Sequence, residues 1–200
     1  MAKIAEVHKL LAYYLTLPAV KLLSRTSISP NYITWLGFVI TLGAAGLIMT
    51  GHLLAAGLTV IVAGFFDILD GFLARHINRA TRFGAFFDST MDRLSEAALL
   101  VSIVVFSLVS NRPDIEALLV CLVLTSSFLV SYTRARAEGL GLDCQVGLFT
   151  RAERIIVLTL GLLFSQFDYA LISALAIITV FSFITTGQRV LYVWQQAKSS

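Results

Sequence analysis

Charge is scarce in this chain. Asp, Glu, Lys and Arg make up 14% of its 200 residues and hydrophobic residues 58%, whereas about a quarter of a soluble globular domain is charged. That excludes the soluble class and, with a mean hydropathy of +0.85, points to a membrane protein. Cysteine is nearly missing as well. Cys121 lies in an apolar run and Cys144 in a loop stretch, which leaves no basis for a disulfide framework or a zinc site. There is no concentrated basic face either. The net charge of +3 comes from Lys and Arg spread between apolar spans, so nucleic acid is not an expected partner. Nor does a small-residue cleavage site follow a short basic start, and no cleavable signal is expected.

What is present is apolar sequence of membrane-crossing length. From Thr26 to Phe66 the only titratable side chain besides Tyr32 is His52, which leaves room for two helices and a tight turn at Gly51. Six spans are expected, at about 33–50, 53–75, 83–110, 115–137, 151–164 and 169–194. Asn111, Arg112 and Pro113 end the third, and Tyr192 and Trp194 suit an interfacial belt. Upstream, Ile4, Val7, Leu10, Leu11, Tyr14 and Leu15 recur at helical spacing among Lys3, Lys9 and Lys21, which predicts an amphipathic helix lying on the membrane surface. The expected fold is all-α: an interfacial helix over 1–25, then a single domain of six transmembrane helices over 26–200.

Orientation follows from the basic residues. Fourteen of the fifteen Lys and Arg fall before the first span, beside the second-to-third and fourth-to-fifth connections, or near the C-terminus. Arg112 alone falls on the other side. The positive-inside rule then sets both termini, and the acids described next, on the cytoplasmic side of the cell membrane.

Those acids are Asp67, Asp70, Asp88 and Asp92. A charged side chain in a membrane-spanning helix costs on the order of 3 kcal/mol even on lenient scales, so such residues face a cavity or a partner. Offsets of three and four residues put each pair on one helix face, and two facing pairs make a carboxylate cage. Oxygen ligands without Cys or His suit magnesium or manganese. Gly71, Ala74 and Gly84 allow close approach of backbone or ligand, and Arg75 is a fixed cation suited to phosphate. Metal, phosphate and bilayer together suggest lipid phosphoryl chemistry, in which two metals can neutralise the attacking and leaving oxygens.

The run D-x2-D-G-x2-A-R-x8-G-x3-D-x3-D, filled at every position from Asp67 to Asp92, resembles the signature of the CDP-alcohol phosphotransferases. The resemblance covers nearly the whole chain. It implies transfer from a CDP-linked donor such as CDP-diacylglycerol to a hydroxyl, with release of CMP. It further implies that Asp67, Asp70, Asp88 and Asp92 hold two divalent ions, Mg2+ or Mn2+, and that Asp92 is the general base. Asp70, Gly71, Ala74, Arg75, Thr81 and Gly84, with Pro30, Asn31 and Thr34, would form the CDP site. A homodimer among membrane lipids is also implied.

Within that family, Ser29-Pro30-Asn31 with Thr34, the stretch Ser131 to Glu138, Arg151 to Arg154, and Gln188-Arg189 are most similar to the phosphatidylinositol phosphate synthases and the archaeal archaetidylinositol phosphate synthases. By that similarity the acceptor is inositol phosphate, and its phosphate would meet Ser131, Arg134, Arg151, Arg154 and Arg189. The chain departs from the pattern at Thr150, where an acidic residue is expected, and at Arg134, where Lys is common. Arg136 with Glu138 reads equally as a helix-end charge pair. Glycerol phosphate, as in phosphatidylglycerophosphate synthases, is the rival acceptor. A cation-coupled transporter would also carry intramembrane acids, but here they cluster at the ends of two consecutive helices, without the interrupted helices of inverted repeats.

Overall fold

The computed structural model describes residues 20, 23–24, 29–77, 81–108 and 113–199. The surface helix expected over the N-terminal stretch therefore falls, but for Val20, Leu23 and Ser24, outside the described residues. Among the described residues there are six helices and no strand: α1 Pro30–Met49, α2 Leu53–His76, α3 Arg82–Ser107, α4 Pro113–Gly139, α5 Arg151–Leu163 and α6 Ala170–Ser199. Each overlaps one of the six segments expected as spans. Four of them, α1, α2, α4 and α6, are long and apolar enough to cross a membrane. Two fall short of that measure for different reasons. α3 carries Arg82, Asp88, Asp92, Arg93 and Glu96, whereas α5 has only 13 residues and so reaches about 20 Å.

Glycine ends two of these helices. Gly51 (φ 80°) and Gly141 (φ 77°) take the left-handed conformation. Behind each, the next amide reaches back five residues, His52 N–H to the Leu47 carbonyl at 2.9 Å and Leu142 N–H to that of Ala137 at 3.0 Å. That is the Schellman closure, which satisfies carbonyls a helix end leaves open. α5 starts differently: the Glu153 carboxylate accepts from the Thr150 amide at 2.7 Å and from its hydroxyl at 2.5 Å. A threonine at position 150 thus gives Glu153 a helix-starting role.

The chain falls into two compact units, one within Met1–Ala45 and Leu58–Leu99, the other within Gly46–Gly57 and Leu100–Ser200. In the first, Val20, Ile33, Leu69 and Leu73 form a buried cluster flanked by Leu23, Phe66, Phe72 and Ile77. In the second, α6 packs on α4 and α5. Helices in lipid associate by close packing, which small residues permit. A Cβ at Gly161 would lie 2.6 Å from that of Ala174, so α5 meets α6 there through a bare backbone. Gly161→Val is expected to cost about 1–3 kcal/mol by overpacking and to lower the thermal midpoint in detergent by about 5 °C. Gly43→Ala, whose added methyl meets nothing within 4 Å, should leave the midpoint in place.

Candidate active site

On α2, Leu69 and Leu73 are buried in the first unit's core. Asp67, Asp70, Gly71 and Ala74 recur beside them at offsets of three and four, the spacing of one helix face. α3 is started by Thr81, whose Oγ1 accepts the Gly84 amide at 2.9 Å; this is an N-cap bond of the ordinary kind. The start matters because it fixes the register of Asp88 and Asp92. Asp67, Asp88 and Asp92, each half-buried, bring one carboxylate oxygen apiece within 4.8 Å of the other two. Asp70 stands outside that trio. It is 4% exposed, and its Oδ2 accepts from Thr34 Oγ1 at 2.5 Å, so a hydroxyl on α1 holds it.

Three carboxylates this close repel one another unless a cation lies among them. The group has oxygen ligands only, without Cys or His, and so fits a hard divalent ion such as magnesium or manganese rather than zinc.

Beside the trio opens a cleft of about 180 Å³ lined by α1, α2 and the start of α3. Pro30, Asn31 and Thr34 line it from α1, and Asp70, Gly71, Ala74 and Arg75 from α2. Thr81, Gly84 and Asp88 close it from the third side. Gly84 is the tight position: a Cβ there would stand 3.0 Å from Thr81 Oγ1 and 3.4 Å from Asn31 Oδ1, whereas one at Gly71 would meet the Arg75 guanidinium at an ordinary contact distance of 3.6 Å. Arg75 also lies over the Phe72 ring, 4.9 Å from its centroid, a cation–π contact that directs the head. Every residue that the family resemblance assigned to CDP thus lines this one cleft, a hollow with an acidic end and a guanidinium at its wall.

The second unit holds Arg134, Arg151, Arg154 and Arg189, the arginines expected to meet the acceptor's phosphate. Arg134 and Arg154 lie close enough to Arg189 for their charges to act on it. Arg154 is 2% and Arg189 3% exposed, while Ser131 and Arg151 are half-buried. Arg134 Nε pairs with Glu138 Oε1 at 2.8 Å, both side chains about half exposed. The helix-end charge pair expected between Arg136 and Glu138 is thereby corrected, because the one-turn offset of Arg134 suits a helix and an offset of two does not. Thr185 and Glu96 belong to none of the motifs above. Thr185 is fully buried and its hydroxyl accepts the Phe149 amide at 3.0 Å; Glu96, one turn beyond Asp92, is 6% exposed. Nothing local marks Thr185 among the many hydroxyls of these helices.

Comparison with known proteins gives a consistent picture. Residues 27–192 match the family model described as CDP-alcohol phosphatidyltransferase. The archaetidylinositol phosphate synthase of Methanothermobacter thermautotrophicus is 36% identical over 176 residues, covering 87% of each chain. The crystal structure of the Mycobacterium tuberculosis phosphatidylinositol phosphate synthase with CDP-DAG bound is similar at a TM-score of 0.84 and 32% identity, over 90% of this chain and 94% of that one. The same synthase in complex with manganese and citrate gives 0.83 and 32%, over 90% and 88%.

Proposed function

Because this chain belongs to the CDP-alcohol phosphatidyltransferase family, we propose that it transfers a phosphatidyl group from CDP-diacylglycerol to a hydroxyl of inositol phosphate, giving phosphatidylinositol phosphate and CMP. The observation that carries this reading is the meeting of the carboxylate trio with the cleft of α1, α2 and α3. Similar relatives support the acceptor: they are named as synthases of phosphatidylinositol phosphate or archaetidylinositol phosphate.

In this reading Gly71, Ala74 and Gly84 admit the cytidine and Arg75 meets a phosphate oxygen. Asp67, Asp88 and Asp92, with Asp70, would hold two divalent ions, magnesium or manganese, whose contribution when bound is to neutralise the diphosphate and the leaving CMP. The acceptor oxygen attacks the phosphatidyl phosphorus. As the new P–O bond forms, the bond to CMP breaks with its electron pair staying on CMP, and the hydroxyl proton passes to the Asp92 carboxylate. Ser131, Arg134, Arg151, Arg154 and Arg189 receive the acceptor's own phosphate, a dianion that needs several cations. In this reading the four long apolar helices cross the membrane with α3 and α5 packed among them, the basic bias argues for a site and both termini at the cytoplasmic face of the cell membrane, and the working form is a homodimer.

The test is CMP release by the purified chain in detergent with CDP-diacylglycerol and magnesium. Inositol phosphate should exceed glycerol phosphate by about tenfold or more, since a site built around one polar acceptor leaves its groups unpaired with another. Free inositol, or a chelator, should abolish release. Preference for glycerol phosphate would move the chain to the phosphatidylglycerophosphate synthases, and no release with any acceptor would sink the enzyme reading. An ether-linked CDP donor assayed in parallel addresses the archaeal relative's chemistry.

A further inference from the structure

Between the Gly141 turn and α5 the chain runs without helix through residues 142–150, and its last stretch is fastened to one side of α6. The Phe149 amide donates to Thr185 Oγ1 at 3.0 Å and the Leu148 amide to Gln188 Oε1 at 3.2 Å. Arg189 Nε donates to the Val146 carbonyl at 2.9 Å, and its Nη1 donates to the carbonyl of Val130 on α4. Gly147 completes the fit. Its φ is 138°, and a Cβ there would stand 2.7 Å from Thr185 Cγ2 and 3.3 Å from Arg189 Nε. Three side chains within little more than one turn of α6 thus hold residues 146–149 immediately before the first turn of α5, which carries Arg151 and Arg154.

From this geometry we infer that Thr185, Gln188 and Arg189 form a latch that positions the α5 arginines for the acceptor's phosphate, with Gly147 as the residue that lets the latch close. The inference rests on the acceptor assignment made above. Arg189 has a positioning share beside its place among the acceptor cations: with Nε and Nη1 both given to backbone carbonyls, it sets where the neighbouring cations stand. Its fork shape is what the position needs, since a guanidinium can bridge two carbonyls at fixed separation and an ammonium on a flexible stem cannot. A lysine would preserve the charge and lose the bridge.

The experiment uses the full chain in nanodiscs, with hydrogen exchange over residues 146–150 measured beside steady-state kinetics. Thr185→Val, Gln188→Ala and Arg189→Lys should each speed exchange there. Each should also raise the KM for inositol phosphate by about tenfold, the scale of one buried hydrogen bond, with kcat and the donor KM within about twofold. Thr185→Ser, which keeps the hydroxyl, should restore both readouts. Gly187→Ala, on the same helix with nothing within 4 Å of the added carbon, should change neither. Unchanged exchange, or a loss of kcat with the acceptor KM unmoved, overturns the latch. Arg154→Ala separates the two failures. If it raises the acceptor KM while the latch variants do not, the latch alone is wrong; if it too leaves the KM unmoved, the acceptor assignment falls and the latch with it.

Discussion

Asp92→Asn should reduce CMP release on the order of 10³-fold or more, the range general bases reach when their proton transfer is lost. The substitution keeps size and shape and removes two capacities: taking the acceptor's proton, and lending charge to a divalent ion. Loss of fold can be told apart from loss of chemistry. Asp92 brings an oxygen within 4.8 Å of Asp67 and Asp88, and removing one of three mutually repelling carboxylates relieves strain in the metal-free chain. The Asn variant, without metal, should therefore melt no lower than its parent. Asp67→Asn removes charge from the same trio and leaves the base in place, so raising magnesium should recover part of its activity and none of that of Asp92→Asn. More than a tenth of the parental turnover in Asp92→Asn would end the assignment of Asp92 as base.

How much of this was legible in the sequence depended on whether a residue's role is local. Helix positions were, because apolar runs broken by Gly51 and by Asn111-Arg112-Pro113 leave few alternatives for chain in lipid. The motif from Asp67 to Asp92 was legible too, because helical offsets convert spacing into faces. Asp70 has a partner that spacing does not show. Its offset from Asp67 is that of one helix face, and one of its oxygens also accepts from Thr34, thirty-six positions earlier; no periodicity within α2 could announce a partner on α1. Arg189 is the same lesson with the opposite chemistry. A basic residue near a basic cluster reads as an anion ligand from sequence; the structure adds that two of its donors reach Val130 and Val146, fifty-nine and forty-three residues away. Pairings of that length are set by how helices pack, and one sequence does not state them.

Gly84 offers the second large effect, because it separates donor binding from stability. In an exposed helix interior Gly→Ala gains roughly 1 kcal/mol, but here the new methyl would press on Thr81 Oγ1 at 3.0 Å, the oxygen that caps α3 through the Gly84 amide. Losing such a cap costs about 1 kcal/mol, so Gly84→Ala should leave the thermal midpoint nearly unmoved. Gly84→Val adds two further carbons between Thr81 and Asn31, both of which line the cleft. The donor KM should then rise by about 100-fold, equivalent to roughly 2.7 kcal/mol of binding, with the Ala variant in between and the inositol phosphate KM within about twofold of the parent. CMP should follow the donor, inhibiting Gly84→Val only at correspondingly higher concentration, since the clash lies where the nucleotide is assigned and not where the lipid chains go. A donor KM left unaltered by valine would place the nucleotide elsewhere and leave the acid trio without its diphosphate.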